Sequence, residues 1–228
     1  MPEVKQRVGL TGNQLKIIAM IAMTLDHVGL MFFPGNDIFR ILGRLAMPIY
    51  AYMIAEGCRY THDRKKYFLR LFSLGALCQV VYFVAMGSLY QCILITFSMS
   101  VGLIYLYDRK GAGFWLGILA AWALCVAVPD LLPSTDFAID YGIWGVLLPL
   151  FIYIGGNREE PLTAVSALTI GLVMLAVDCG GLQWYSLLAV PLLILYNGQR
   201  GKMRMGRLFY IYYPLHLAIL QGLTLLLG

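Results

Sequence analysis

Two ionisable residues stand side by side within a long apolar run near the start of the chain: Asp26 and His27 in LKIIAMIAMTLDHVGLMFFP, residues 15–34. At a helical rise of about 1.5 Å per residue, Asp26 lies roughly 15 Å beyond Lys16, close to the middle of a hydrocarbon layer about 30 Å thick. A charged side chain at that depth costs about 3 kcal/mol or more unless it meets protein, water or an opposite charge, so such residues mark functional sites by default. Histidine moves protons near neutral pH, and an adjacent carboxylate stabilises its charged form or fixes its tautomer. Consecutive helical residues point about 100° apart, so one can face a cavity while a neighbouring helix holds the other. The plainer alternative is an aspartate bonded between helices beside an incidental histidine.

The next apolar stretch, IFRILGRLAMPIYAYMIAEG, carries Arg40 and Arg44. Arg40 is near enough to the outer end to snorkel. Arg44 lies about 9 Å in from residue 38 and His27 about 9 Å in from residue 33, so the two share a depth. Arg44 can neutralise Asp26 or hold a substrate carbonyl or carboxylate, and the two roles are compatible. Glu56 and the basic run Arg59, Arg64, Lys65, Lys66 and Arg70 follow at the inner end of this hairpin. Such a run anchors topology on anionic headgroups, and a phosphate-bearing cofactor would need the same cations. Further on, Asp140-Tyr141 opens an apolar helix at its outer end, where Asp140 can cap it or meet an arriving acceptor. Near the C-terminus, Tyr212, Tyr213 and Pro214 precede His216, and a proline inside a helix opens room beside it.

Elements that position these residues are transmembrane helices. The chain is 60% hydrophobic and only 13% charged over 228 residues, which excludes a disordered or ordinary water-soluble protein. No small-residue cleavage site follows the first apolar run, so that run is expected to stay as a span. The reading is an all-α polytopic bundle of about nine spans, near 15–33, 38–56, 67–86, 92–107, 114–129, 139–155, 162–178, 183–197 and 208–227, forming a single membrane domain over 1–228. The fourth, fifth and eighth spans are short. Lys5, Arg7, Arg59, Arg64, Lys65, Lys66, Arg109, Lys110, Arg158, Arg200, Lys202, Arg204 and Arg207 all fall on one side. Turns 34–37, 87–91, 130–138 and 179–182 hold no Lys or Arg, and Asp37, Asp130 and Asp136 sit there instead. The positive-inside rule therefore puts the N-terminus in the cytoplasm and the C-terminus outside.

The net charge of +5 is accordingly a topogenic bias that faces membrane lipids, and no basic patch interleaved with aromatics points to nucleic acid. The five cysteines show no metal spacing; Cys92 and Cys179 both fall near the outer face and could pair, though buried free thiols are commoner. No soluble-enzyme motif is present. From residues alone the chain is a polytopic protein with a buried Asp/His/Arg centre: a transporter, a proton-coupled carrier or an intramembrane enzyme.

Four stretches resemble the TraX (F-pilin acetylation) family: LKIIAMIAMTLDHVG (15–29), FRILGRLAMPIYAYMIAEGCRYTHDRKKYFLRL (39–71), DYGIWGVLL (140–148) and FYIYYPLHLAIL (209–220). That family is similar to the broader transmembrane acyltransferases, the acyltransferase-3 and heparan glucosaminide N-acetyltransferase proteins among them. The resemblance implies an enzyme of the bacterial cytoplasmic (inner) membrane that moves an acetyl group from cytoplasmic acetyl-CoA to an acceptor amine or hydroxyl at the external face, on pilin, another peptide or a sugar. It implies His27 as the catalytic histidine, Asp26 as its orienter and Arg44 as stabiliser of the developing oxyanion. Arg64, Lys65, Lys66 and Arg70 would handle the acyl donor, with His216 lining the same channel; Asp140, Tyr141 and Glu56 would meet the acceptor, and no metal is called for. The chemistry agrees: an attacking amine must lose a proton to a base near pH 7, and a cation in a dry site stabilises the carbonyl oxygen as it turns negative.

The orientation is open to test. A reporter fused after Gly228 should read as external and one inserted at residues 60–66 as cytoplasmic; a cytoplasmic C-terminus would mean that one of the short helices does not cross.

Overall fold

Thr11 and Gln14 start the first helix. The Thr11 side chain accepts the Gln14 N–H at 3.3 Å while Gln14 Oε1 accepts the Thr11 N–H at 2.8 Å, a reciprocal cap that satisfies the donors a helix N-terminus leaves bare. From there α1 runs Gly12–Phe32, and Leu15, Ala19, Ala22 and Met23 recur at helical spacing as its buried face. The computed structural model describes residues 9–156, 161–202 and 206–227. Lys5, Arg7, Arg158 and Arg204, part of the charge bias above, lie outside the described residues, as do the side chains of Arg207 and Tyr210.

The elements after α1 are α2 (Asp37–Gly43), α3 (Ala46–Tyr60), α4 (Arg64–Met86), α5 (Ile93–Asp108), α6 (Ala112–Trp122), a π-helical turn, α7 (Val128–Leu131), α8 (Gly142–Gly155), α9 (Pro161–Cys179), a 3₁₀ segment (Gly181–Leu188), α10 (Ala189–Ile194) and α11 (Gly206–Leu227). Among the described residues the only strand-like pairings are two isolated bridges, Leu10 with Tyr196 and Gln91 with Ile139. Five helical stretches are long and apolar enough to cross a membrane: Gly12–Phe32, Asp37–Tyr60, Arg64–Met86, Ala112–Leu131 and Leu162–Cys179. Four shorter apolar helices, Ile93–Asp108, Gly142–Gly155, Gly181–Ile194 and Ile211–Leu227, fall where the remaining spans were expected. Along α4 and α6, Leu77, Val84, Trp115 and Leu116 stand 60–79% exposed, an apolar surface suited to lipid rather than water.

The chain divides into two compact units, Met1–Met53 with Gly180–Gly228 and Ile54–Cys179. In the first unit the chain ends of two elements are tied together. Gly12 and Asn13 donate their N–H groups to the carbonyls of Gln199 and Arg200 at 2.8 and 3.0 Å, and Leu10 donates to Leu195 at 2.8 Å. In the second unit Gln91 donates to Ala138 and Asp140 back to Gln91, while the Asp136 carboxylate accepts from the Ser88 hydroxyl and the Leu89 N–H. Those two contacts hold the Asp136 carboxyl below the usual carboxylate range. Each pairing joins loops that the charge pattern assigns to the same side. The second unit is otherwise packed by α5, α8 and α9, with Val101, Ile104, Leu148, Ile152, Leu168 and Leu172 fully buried.

Three details differ from the expected elements. The second span is not one helix: α2 ends at Gly43 and α3 starts at Ala46, so Arg44 stands in the turn between them. The fifth apolar stretch is longer than expected, reaching from Ala112 to Leu131 through a π-helical turn that the hydropathy pattern does not reveal. The helix after Asp140 begins at Gly142; its N-cap is Tyr141, held at φ 59°, and makes no side-chain cap. Asp140 therefore does not cap it.

Two glycines let α1 and α2 approach. A Cβ on Gly29 would sit 2.6 Å from Phe39 Cβ, and a Cβ on Gly43 would collide with the Asp26 side chain. Gly43→Ala is accordingly expected to lower stability by about 2 kcal/mol, the range for overpacking a filled contact. Gly222→Ala, in open space on α11, should be neutral or slightly stabilising. Thermal unfolding of the detergent-solubilised protein compares the two, and equal midpoints would show that α2 can move off Asp26 freely.

Candidate functional site

Asp26 is the meeting point of the first unit. Its Oδ1 accepts from Arg44 Nη2 at 2.7 Å and its Oδ2 from Arg40 Nη1 at 3.0 Å, so each carboxylate oxygen holds a separate guanidinium. Arg40 and Arg44 are one helical turn apart and present both forks to the same face. Arg44, in the turn after α2, also donates from Nε to the Arg40 carbonyl at 3.4 Å and from Nη1 to Gln183 Oε1 at 3.3 Å. Three elements thus fix one arginine. The side chains are 28, 12 and 17% exposed for Arg40, Arg44 and Asp26, low enough for their attraction to be only weakly screened.

One residue on, His27 turns to the other side of α1. Its Nδ1 lies 2.8 Å from the Met23 carbonyl, which can only accept, so Nδ1 carries the proton and Nε2 keeps its lone pair. His216 is arranged in the same way, Nδ1 donating to the Tyr212 carbonyl at 2.9 Å. Its Nε2 faces His27 Nδ1 at 3.4 Å, with the rings 5.0 Å apart and crossed at 72°. The Tyr212 ring stacks on His216 and Tyr213 meets it edge-on. Thr24 gives its hydroxyl proton to Met20, so the Tyr212 hydroxyl donates to Thr24, at 2.5 Å. Ala22, Met23 and Ala46, backed by Leu45, Tyr50, Tyr212 and Tyr213, form the apolar wall beside this pair. The arrangement offers a neutral histidine with a fixed tautomer next to a compact, positively biased ion cluster.

Compared with known proteins, residues 11–224 match the family model described as TraX protein. The chain belongs to the TraX protein family. It is 27% identical to a probable fimbrial assembly protein FimC, serogroup H1, of Dichelobacter nodosus, over 95% of this chain and 97% of that one. It is also 27% identical to protein TraX of Escherichia coli, over 92% of this chain and 86% of that one. No solved structure matches the chain.

The match takes in both units and every residue of the centre. Of the residues singled out in the sequence, Asp26, His27, Arg44 and His216 come together in the first unit. His216, grouped with donor binding, lies against His27. Arg40 does not snorkel, as its place in the span suggested; it is the second arginine on Asp26. Its spacing of four from Arg44 was the available signal, since the two must share a helix face. Gln183, a polar residue inside an apolar segment, carried the same warning of a buried partner.

The other candidates belong to the second unit. Glu56 pairs with Arg59 at 2.8 Å, both 12% exposed, and Arg59 Nη2 reaches the carbonyls of Ile152 and Tyr153, so Glu56 is tied into a helix-to-helix contact. Arg64 is paired with Asp108 at 2.7 Å and stands over the Tyr105 ring. Lys66 is paired with Asp63, whose carboxyl the Lys66 backbone N–H and ammonium hold below its usual range. Lys65 and Arg70 are exposed. The Asp140 carboxylate accepts the Tyr90 hydroxyl at 2.7 Å beside Tyr141. All five cysteines, Cys92 and Cys179 included, are unbridged.

Removing the shared carboxylate should cost more than removing one arm of it. Asp26→Asn leaves two guanidiniums without their counter-charge and is expected to destabilise by about 3–4 kcal/mol. Arg40→Ala keeps the Asp26–Arg44 pair and should cost about half that. Equal losses in thermal or denaturant unfolding would contradict the two-armed geometry.

Proposed function

We propose that this chain is a membrane-embedded acetyltransferase that modifies an acceptor amine or hydroxyl during pilus or fimbrial assembly. The observation that carries this reading is the buried centre of the first unit: a histidine whose Nε2 is left as the basic nitrogen, adjacent to an aspartate clamped by two arginines. In this reading the nine apolar segments all cross the bacterial inner membrane, with the N-terminus cytoplasmic and the C-terminus external. Acetyl-CoA is the donor substrate on the cytoplasmic side; pilin, another surface peptide or a sugar is the acceptor on the far side. The kinship with acyltransferase-3 and heparan glucosaminide N-acetyltransferase proteins belongs to the same proposal.

His27 Nε2 takes the proton that the acceptor loses as its nitrogen or oxygen attacks the thioester carbon. The carbonyl oxygen turns negative, and the positive charge that Asp26 leaves uncancelled on Arg40 and Arg44 favours it. When the carbon–sulfur bond breaks, the ring returns its proton to the departing sulfur. Throughout, the Nδ1–H remains on the Met23 carbonyl. For the donor's phosphates the exposed Lys65 and Arg70, together with Arg64 and Lys66, are the chemically fitting cations. The pairs Arg64–Asp108 and Lys66–Asp63 do not prevent this, because exposed ion pairs are worth only about 0–1 kcal/mol each and phosphate can displace the carboxylate. The same side chains serve as lipid-headgroup anchors when no donor is present.

A second reading, a secondary transporter, draws on the break at Arg44 and on the 3₁₀ segment that holds Gln183, since interrupted helices around a midplane charge mark transport sites. One experiment separates the two. Membranes containing the protein are given labelled acetyl-CoA, and label transfer to surface peptides and sugars is followed. His27→Ala and His27→Gln should both lose about a hundredfold or more in transfer while their unfolding midpoints stay near native. A folded His27→Ala protein that transfers label at the native rate would remove His27 from the chemistry. Absence of transfer with native protein, together with label-independent uptake of a small solute, would favour transport.

A further inference from the structure

Two buried side chains have no role in that chemistry: Gln183, bonded to Arg44, and Ser186, three residues further along the same segment. Gln183 is 4% exposed and Ser186 is fully buried. Both lie on the 3₁₀ segment Gly181–Leu188, where residues three apart stack along one edge. The Gln183 carboxamide is already oriented, because its Oε1 accepts Arg44 Nη1 at 3.3 Å. That bond leaves the Nε2 arm of the same flat group beside the arginine. Among the described residues, neither Gln183 Nε2 nor Ser186 Oγ has a hydrogen-bond partner. A donor buried bare costs about 1–3 kcal/mol, so two on one edge are best explained by something that accepts from them.

Charge narrows what that is. Arg40 and Arg44 contribute +1 each and Asp26 contributes −1, so the three bonded side chains sum to +1. A cation is repelled there and cannot accept from an N–H. A water or neutral carbonyl satisfies the donors and leaves the surplus charge in a low-dielectric site. An oxyanion answers both. Guanidinium, amide and hydroxyl are also the donor types that bind carboxylates in a fixed orientation.

We propose that Arg44, Gln183 and Ser186 form a binding site for a small oxyanion of single negative charge, a carboxylate being the simplest case. Gln183 Nε2 and Ser186 Oγ donate to its oxygens, and the ion cluster on Asp26 supplies the countercharge. The site stands on these residues alone, whether or not the protein transfers acetyl groups. Within acetyl transfer it is a place for a carbonyl oxygen that becomes negative.

The test uses the full-length protein in detergent, titrated with sodium acetate against sodium chloride at equal ionic strength, and reads the thermal midpoint. Acetate should raise the midpoint saturably beyond chloride. Ser186→Ala and Gln183→Leu should each weaken the acetate response by about tenfold. Gln183→Glu brings a carboxylate to Arg44 within the chain, and should raise the midpoint without acetate and abolish the response to it. If Gln183→Leu does not fold, Ser186→Ala and Gln183→Glu decide the matter. No saturable difference between acetate and chloride in the native protein, or a native response in the folded variants, overturns the site. His27→Ala should keep the full acetate response. Loss of transfer in that variant with acetate binding intact therefore separates the anion site from the histidine's role.

Discussion

Everything in the first unit is arranged around one carboxylate that serves two guanidiniums. Asp26 on α1 takes Arg40 from within α2 and Arg44 from the turn that ends it, so the first helical hairpin is closed by charge as well as by packing. Taken singly, any of these side chains in a membrane interior would be costly. Together they replace three desolvation penalties with two short ion pairs and a set of shared hydrogen bonds, and the geometry tolerates little looseness. Gly29 and Gly43 follow from this requirement: they bring the α2 backbone near enough for short contacts to form at all. The turn at Arg44–Leu45 follows as well, since it lets one arginine face α1 and Gln183 together.

Around that centre the rest of the unit packs a second polar pair. His27 and His216 come from opposite ends of the chain, on α1 and α11, and each is fixed by a carbonyl of its own helix four residues earlier. The Tyr212 hydroxyl on Thr24 ties the same two helices one turn away. Tyr212 thus supplies a carbonyl, a ring face and a hydroxyl to the site. An ion cluster, a histidine with a free lone pair and an apolar wall are the ingredients for proton transfer in a water-poor setting. That convergence underlies the acetyltransferase proposal, and the shared family with TraX and fimbrial assembly proteins gives it a biological context.

Much of this was legible in the sequence because membranes make polarity conspicuous. Asp26, His27, Arg44 and His216 stood out as ionisable residues in apolar runs, and the helical character of the chain followed from hydropathy and length. Reading depth alone failed for Arg40: distance from a span's end says where a side chain can reach, whereas its partner is set by the neighbouring helix. The cap reading of Asp140 failed for a related reason. A carboxylate before a helix is a good cap only when the backbone lets it turn inward, and here Tyr141 adopts a left-handed conformation while Asp140 goes to Tyr90. Gln183 and Ser186 stood out less, because uncharged polar residues barely alter hydropathy, though burial makes their donors costly to leave bare. The interruption of the second span was equally invisible, since Gly43-Arg44-Leu45 contains no proline.

The bond from His27 to the Met23 carbonyl has a mechanical corollary. That oxygen is also where the helix ladder of α1 closes at residue 27, so one acceptor serves the backbone and the ring together. The tautomer of the histidine is therefore a readout of helix continuity over residues 23–27. A local loosening of that single turn would free the ring to rotate and scramble which nitrogen faces outward, while leaving every side chain of the centre chemically intact. In this sense α1 acts as a torsion bar: winding it sets the basic nitrogen, and unwinding it by one turn disarms it.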